Sequence, residues 1–225
     1  MTRCVLVTGA AGGIGAAIAD RLAADGWRVH AVDVEDGDLT TPEGNRAVVD
    51  AALERFGGRL DAVVANAGFQ HVAPVRDFSE ERWDALVAVL MTSPFLLAKY
   101  AWDALAASGD GRFLAVASVH GLVASPLKAG YVAAKHGVIG LVKVLALEGA
   151  DVGISAAALC PAYVRTGIVE RQLEERSVED LLAPQAVKRM LEPSEVAAAA
   201  AWILGPDGRA VTGTPFVLDL GWTAH

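Results

Sequence analysis

Ser118, Tyr131 and Lys135 are the residues of this 225-residue chain whose types and spacing suit chemistry. Tyr131 and Lys135 stand four residues apart, about one helical turn, so a helix beginning near Ala129 carries phenol and ammonium on one face. Ser118 lies thirteen residues before the tyrosine, just after the apolar run Phe113 to Ala117, which reads as a strand. The carboxyl edge of such a strand is where open α/β sheets bind ligands. An ammonium beside a phenol favours the phenolate and is expected to lower its pKa from about 10. A phenol tuned in this way suits proton exchange with an alcohol or a ketone.

The elements that position these groups begin at the N-terminus. Cys4 to Val7 reads as a short buried strand running into Thr8-Gly9-Ala10-Ala11-Gly12-Gly13-Ile14-Gly15, and Ile14, Ile18 and Leu22 then recur at helical spacing up to Gly26. Strand, glycine turn and helix suit a pyrophosphate, because glycine lets the backbone come close and the helix N-terminus offers N–H groups. Gly9, Gly13, Ile14 and Gly15 are therefore expected to line a dinucleotide. Trp27 to Val32 reads as the second strand, with Asp33 at its end, eighteen residues after Gly15. A carboxylate there accepts ribose hydroxyls and repels a 2′-phosphate, and no Arg or Lys lies between Gly9 and Gly15 to neutralise one. The expected cofactor is NAD.

The stretch from Val34 to Thr41 is too short for the dozen or more residues that a parallel crossover requires. Thr41 reads as an N-cap with Pro42 at the first helical position, so the next helix starts almost at once and runs to about Phe56. Strands follow at Leu60 to Ala65, Phe113 to Ala117, Ile154 to Leu159 and Pro215 to Leu218, and helices are expected from Ser79 past Ala101, over Tyr131 to Glu148, and from Pro193 to Leu204. The fold class is α/β, a doubly wound parallel Rossmann-type sheet of six strands in which the usual third edge strand is missing. Residues 1–225 are expected to form one domain, with a short substrate lid at about 164–193.

Composition bounds the function. An apolar fraction of 53% with 20% charged residues is a globular balance. The net charge of −8 is spread along the chain with no basic run, which argues against a nucleic-acid partner. Val5 to Val7 is too short for a signal peptide or a membrane span. Two cysteines, Cys4 and Cys160, suit neither a disulfide framework nor a metal site, and a reducing cytoplasm is the expected compartment.

Taken together, TGxxxGxG at Thr8 to Gly15, Asn66-Ala67-Gly68, Ser118, and Tyr131 with Lys135 resemble the short-chain dehydrogenase/reductases across essentially the whole chain. Gln70 to Pro74, Ser118 to Pro126, Tyr131 to Gly137 and Gly221 to Ala224 are similar, more narrowly, to bacterial 3-hydroxybutyrate dehydrogenases. The resemblance implies that Tyr131 is the general acid/base, that Ser118 hydrogen-bonds the carbonyl or carbinol oxygen, and that Lys135 binds the nicotinamide ribose. It implies that Asn66 and Gly68 line the cofactor, with Asp38 and Leu39 beside the adenine. For a small-molecule substrate it implies a carboxylate pocket of Gln70, His120, Lys128 and Gln172, helped to close by Trp222. A homo-oligomer, commonly a tetramer, is also implied.

Four residues depart from the family pattern. Leu90 and Ala157 replace asparagines, the first of which is thought to hold water in a proton path; Ala162 and Leu220 replace glycines, and the segment after Thr166 is short. The best reading is an NAD-dependent oxidoreductase moving a hydride between the nicotinamide and a small 3-hydroxy acid or 3-oxo acid. A carbonyl reductase or hydroxysteroid-type dehydrogenase keeps the chemistry with another substrate. From a different class, an NAD(H)-binding regulatory or scaffold protein impaired in turnover has Leu90 as its direct support.

Overall fold

In the computed structural model, residues 2–167, 169–170 and 177–224 are described. Six strands form one sheet: β1 (Cys4–Thr8), β2 (Arg28–Val32), β3 (Ala62–Ala65), β4 (Gly111–Val116), β5 (Ile154–Pro161) and β6 (Thr214–Leu218). All are parallel, in the order β2-β1-β3-β4-β5-β6. The α-helices that lie wholly among the described residues are α1 (Gly13–Ala24), α2 (Pro42–Arg55), α3 (Glu80–Val87), α4 (Ser93–Ala107), α5 (Ala129–Gly149), α6 (Val178–Leu182) and α7 (Pro193–Leu204).

Side chains alternate across each strand, and both faces of the sheet are covered. Val5, Val7, Val64 and Leu114 meet Ile18 and Leu22 of α1 and Val196, Ala200 and Ile203 of α7. Leu6, Val63 and Phe113 meet Val48 and Val49 of α2, Leu97 and Ala101 of α4, and Val138 and Val142 of α5. The strand order reverses between β1 and β3, which opens a crevice at their carboxyl ends. The Tyr-Lys pair and the glycine turn both face that end.

The short crossover is folded as a turn, as its length requires. Asp36 N donates to Asp33 O at 2.9 Å and Thr41 N to Asp38 O at 3.1 Å. Thr41 Oγ1 then caps α2 by accepting from Gly44 N at 3.1 Å, with Pro42 following it. Among the described residues no strand lies between β2 and α2, so β2 is the edge of the sheet.

One element differs from expectation. The long helix expected from Ser79 onward is interrupted by a π-helical turn, Ala88–Thr92, between α3 and α4. Pro94 lacks an N–H and its ring would strike the carbonyl four residues back, that of Leu90. One wider turn accommodates the proline without ending the helix. The runs Glu80–Ala107 and Ala129–Val152 are apolar and long enough to cross a membrane, but both pack on the sheet, where they bury the apolar residues named above.

Candidate active site

A cavity of about 840 Å³ runs along the carboxyl ends of the strands, from Asp33, Asp38 and Leu39 past Gly9, Gly13, Ile14, Asn66 and Gly68 to Ser118, His120, Lys128, Tyr131 and Lys135. Its volume lies in the range of cofactor and ligand sites.

At one end the glycine turn is pressed into place by its neighbours. A Cβ on Gly9, whose φ is +66°, would lie 2.6 Å from Ala67 Cα. A Cβ on Gly15 would lie 2.1 Å from Gly9 O, so Gly15, which is not on the cavity wall, closes the turn on its helix. The N-terminus of α1 carries no side-chain cap and no acidic residue in its first turn. It therefore keeps both its donors and its dipole for an anion. Asn66 lines the cavity and also holds the turn: its Nδ2 donates to Thr8 O and Gly9 O, both at 3.0 Å. Thr8, the first residue of the glycine motif, completes this link by accepting at Oγ1 from Asn66 N at 3.1 Å and Ala67 N at 3.2 Å. Gly68 lies against Leu90, whose Cδ2 would be 2.7 Å from any added Cβ.

Asp33 sits where β2 ends and accepts from Ala11 N at 2.7 Å and from Val34 N at 2.8 Å. It thereby joins the glycine turn to the adjoining wall. Asp38 Oδ1 accepts from Thr40 N at 2.9 Å and Thr40 Oγ1 at 2.6 Å, and these bonds hold its carboxyl below the usual range. Leu39, Val32 and Val48 give this end apolar walls.

At the other end, Ser118 follows β4 and begins the short 3₁₀ turn Val119–Gly121, its Oγ accepting from His120 N at 3.1 Å. Tyr131 and Lys135 lie in the first turns of α5, and Lys135 Nζ is 5.6 Å from the phenol ring centroid. That ammonium donates to Val116 O at 2.6 Å. Burial drives Lys135 down to about 8. Tyr131 is part-exposed as a residue, yet its phenol oxygen is enclosed, and burial pushes it up to about 12 against a Ser118 hydrogen bond that opposes the rise. The lowered phenol pKa expected from the pairing is thus overturned. Desolvation dominates the shift, and the Lys135 ammonium is directed at a backbone carbonyl.

Deeper still, His120, Lys128, Tyr163 and Trp222 form one cluster. His120 Nε2 is 2.9 Å from Ser125 Oγ, and Nδ1 is 3.5 Å from Ser118 Oγ. Its ring meets those of Trp222 at 5.3 Å, Tyr131 at 6.0 Å and Tyr163 at 6.2 Å between centroids. Burial above all, then the charges of Lys128 and His136, drive its pKa down to about 3, so the imidazole is neutral. Lys128 is buried, donates to Tyr163 Oη at 3.2 Å and lies 5.1 Å from that ring centroid. Leu127 just before it adopts a left-handed φ of +69°, and its carbonyl accepts from Ala73 N at 2.9 Å. This joins the loop of Lys128 to the one that carries Gln70.

Gln70 lines the cavity, and its buried Oε1 has no hydrogen-bond partner among the described residues. Trp222 does not line the cavity; it backs His120 and Tyr163. The turn before it is held by Asp219, which accepts from Gly221 N at 2.9 Å and from Thr223 N and Oγ1 at 2.7 Å each. Leu220, in the place of a family glycine, takes a φ of +55° there. Gln172 lies outside the described residues. Tyr163 was missed in the sequence reading, although its position just past Pro161, at the end of a strand, is one where ligand-binding residues gather.

A glycine turn after the first strand, Asn-Ala-Gly after the third and a Ser, Tyr and Lys set at the end of the fourth define a dinucleotide-type site. A family profile described as short chain dehydrogenase matches residues 3–41, and one described as Enoyl-(Acyl carrier protein) reductase matches residues 34–223. The chain belongs to the short-chain dehydrogenase/reductase family and is an oxidoreductase acting on a CH–OH group. It is 36% identical over 259 aligned residues to the D-beta-hydroxybutyrate dehydrogenase of Rhizobium meliloti (strain 1021), covering 100% of both chains. It is 37% identical to the protein of the same description from Cupriavidus necator, covering 99% of this chain and 98% of that one. A solved structure described as "Crystal structure of gox2181" superimposes with a TM-score of 0.94 at 27% identity, covering 100% of this chain and 96% of that one. The aligned length of 259 exceeds the 225 residues of this chain, so the alignment places gaps in it.

Proposed function

We propose that the protein is an NAD-dependent dehydrogenase of a small 3-hydroxy acid, 3-hydroxybutyrate or a close homologue, working in either direction with the matching 3-oxo acid. The observation that carries this reading is Lys128. It is a cation buried to 2% exposure in a chain of net charge −8, on the wall of the cavity beside Ser118 and Tyr131. With Gln70 and the neutral His120 it offers a carboxylate charge-assisted and neutral donors at a fixed distance from the phenol. The two relatives named above share the substrate class in their descriptions.

The residues present fit a dinucleotide. The close-packed glycine turn, the uncapped α1 and the apolar wall of Leu39 and Val48 suit a pyrophosphate and an adenine. The nicotinamide, when bound, supplies the hydride acceptor for alcohol oxidation. The protein's own part is proton transfer and orientation. Ser118 Oγ holds the substrate oxygen, Tyr131 Oη takes or returns its proton, and Lys135 binds the ribose hydroxyls. Asp33, with Glu35, Asp36 and Asp38 in the same turn, disfavours a 2′-phosphate, which is why NAD is assigned over NADP. The same reading includes a cytoplasmic homo-oligomer, motivated by free cysteines at positions 4 and 160 and by exposed Phe95, Val144 and Leu147 on the outer faces of α4 and α5.

Initial rates with NAD and with NADP, across 3-hydroxy acids, simple alcohols and steroids, test the assignment. NAD-linked oxidation of 3-hydroxybutyrate or a near homologue is expected. Turnover confined to uncharged alcohols would move the assignment to a carbonyl reductase, and NADH binding with no turnover would make it a regulatory protein.

A further inference from the structure

The turn that replaces the missing strand leaves the wall formed by Asp38 and Leu39 without a neighbouring strand to hold it. Something else must fix it. Asn45, in the first turn of α2, is fully buried and sits directly behind that wall. Its Nδ2 donates to Leu39 O at 2.9 Å and to Thr41 O at 2.8 Å, while its Oδ1 accepts from Ser93 Oγ at 2.6 Å. Ser93 is itself buried and begins α4, directly after the π-helical turn whose Leu90 rests on Gly68. The start of α2 presses on the same turn, since a Cβ on Gly44 would lie 2.0 Å from Asp38 O. One amide therefore fastens the short turn to the helix that runs under the other side of the cavity.

We infer that Asn45 and Ser93 are positioning residues for the adenosine half of the nucleotide, a strut that does the work of the absent strand. The inference rests on the reading of this cavity as a dinucleotide site. Its chemistry is specific: both N–H groups of one amide meet two carbonyls, so a carboxylate of the same shape would set oxygen against oxygen. The strut touches neither Ser118 nor Tyr131. Its loss is expected to weaken nucleotide binding and leave the proton transfer alone.

The test uses the full-length protein with Ser93→Ala and Asn45→Asp. NADH binding is followed by fluorescence, AMP binding by displacement of NADH, and KM for NAD and kcat by initial rates, with thermal melting as the check on folding. Ser93→Ala is expected to raise the Kd of both NADH and AMP by about three- to tenfold, and Asn45→Asp by more, with kcat at saturating NAD held within about twofold. Should Asn45→Asp fail to fold, Ser93→Ala carries the comparison. A folded Ser93→Ala that binds AMP and NADH as tightly as the wild type overturns the inference, and so does a fall in kcat with KM unchanged. A wild-type protein that binds neither nucleotide overturns instead the dinucleotide reading on which the inference stands.

Discussion

Lowering the pH from 7 to 5 should destabilise this protein through His120, by an amount the structure allows to be worked out. Burial, with the charges of Lys128 and His136 adding to it, holds the folded imidazole at about 3, against an ordinary value of 6.5. Among the described residues its ring neighbours are Ser118, Ser125, Tyr131, Tyr163 and Trp222, none of which carries a carboxylate to offset the cost of charging it. As pH falls below 6.5 the unfolded chain binds a proton that the folded chain refuses, so stability is lost from there down towards 3 and is flat above 7. At pH 5 the loss from this one group is about 2 kcal/mol. In a domain of this size that is a fall in Tm of roughly 4–8 °C. His30, also driven down by burial first, titrates in the same window, so the informative quantity is a difference. His120→Gln removes the titration and leaves His30 in place. Denaturant titrations of wild type and variant at pH 7 and 5 should show the wild type losing about 2 kcal/mol more than the variant. Equal losses would mean that His120 charges freely in the folded protein and that the neutral, buried imidazole is wrong.

Other expectations follow from the site. Lys128→Ala should lower kcat/KM on a 3-hydroxy acid roughly ten- to a hundredfold while sparing an uncharged ketone; equal losses on both would make Lys128 structural. Gly15→Ala, whose Cβ would lie 2.1 Å from Gly9 O, should cost about 1–3 kcal/mol or more in denaturant unfolding and weaken NADH binding. Asp33→Ala should narrow the preference for NAD over NADP in kcat/KM, and an unchanged ratio would remove Asp33 from cofactor choice. Leu90→Asn puts an amide among Leu86, Ala134 and Phe78 and should cost about 2–4 kcal/mol. If turnover is limited by a water path that Leu90 cannot support, the folded variant should also turn over faster, and no gain in any rate sensitive to proton transfer counts against that path.

The architecture was legible because it is written in local signals. The apolar runs, the glycine turn and the Thr41-Pro42 helix start mark the strands and helices by length and periodicity, and the short crossover, set against the family pattern, points to the six-strand sheet. The Tyr131–Lys135 spacing likewise places both side chains at the start of one helix. What the sequence did not reveal depends on contacts between distant segments. Tyr163 reaches Lys128 across 35 positions and Ser93 reaches Asn45 across 48, and no periodicity marks either pair. The phenol's pKa was misjudged for a related reason: sequence gives the charged neighbour, but desolvation is set by everything folded around the group. The π turn was present in the sequence as Pro94, read as part of a helix that the ring in fact widens.

The most direct test of the central claim is the steady-state oxidation of 3-hydroxybutyrate with NAD by the wild type and by Tyr131→Phe, with NADH binding measured on the same preparations. The wild type is expected to turn over. The variant should bind NADH about as tightly and lose about a hundredfold or more in kcat, because only the proton-transferring oxygen has been removed. A wild type inactive on every 3-hydroxy acid, or a Tyr131→Phe protein that keeps its kcat, would contradict the account.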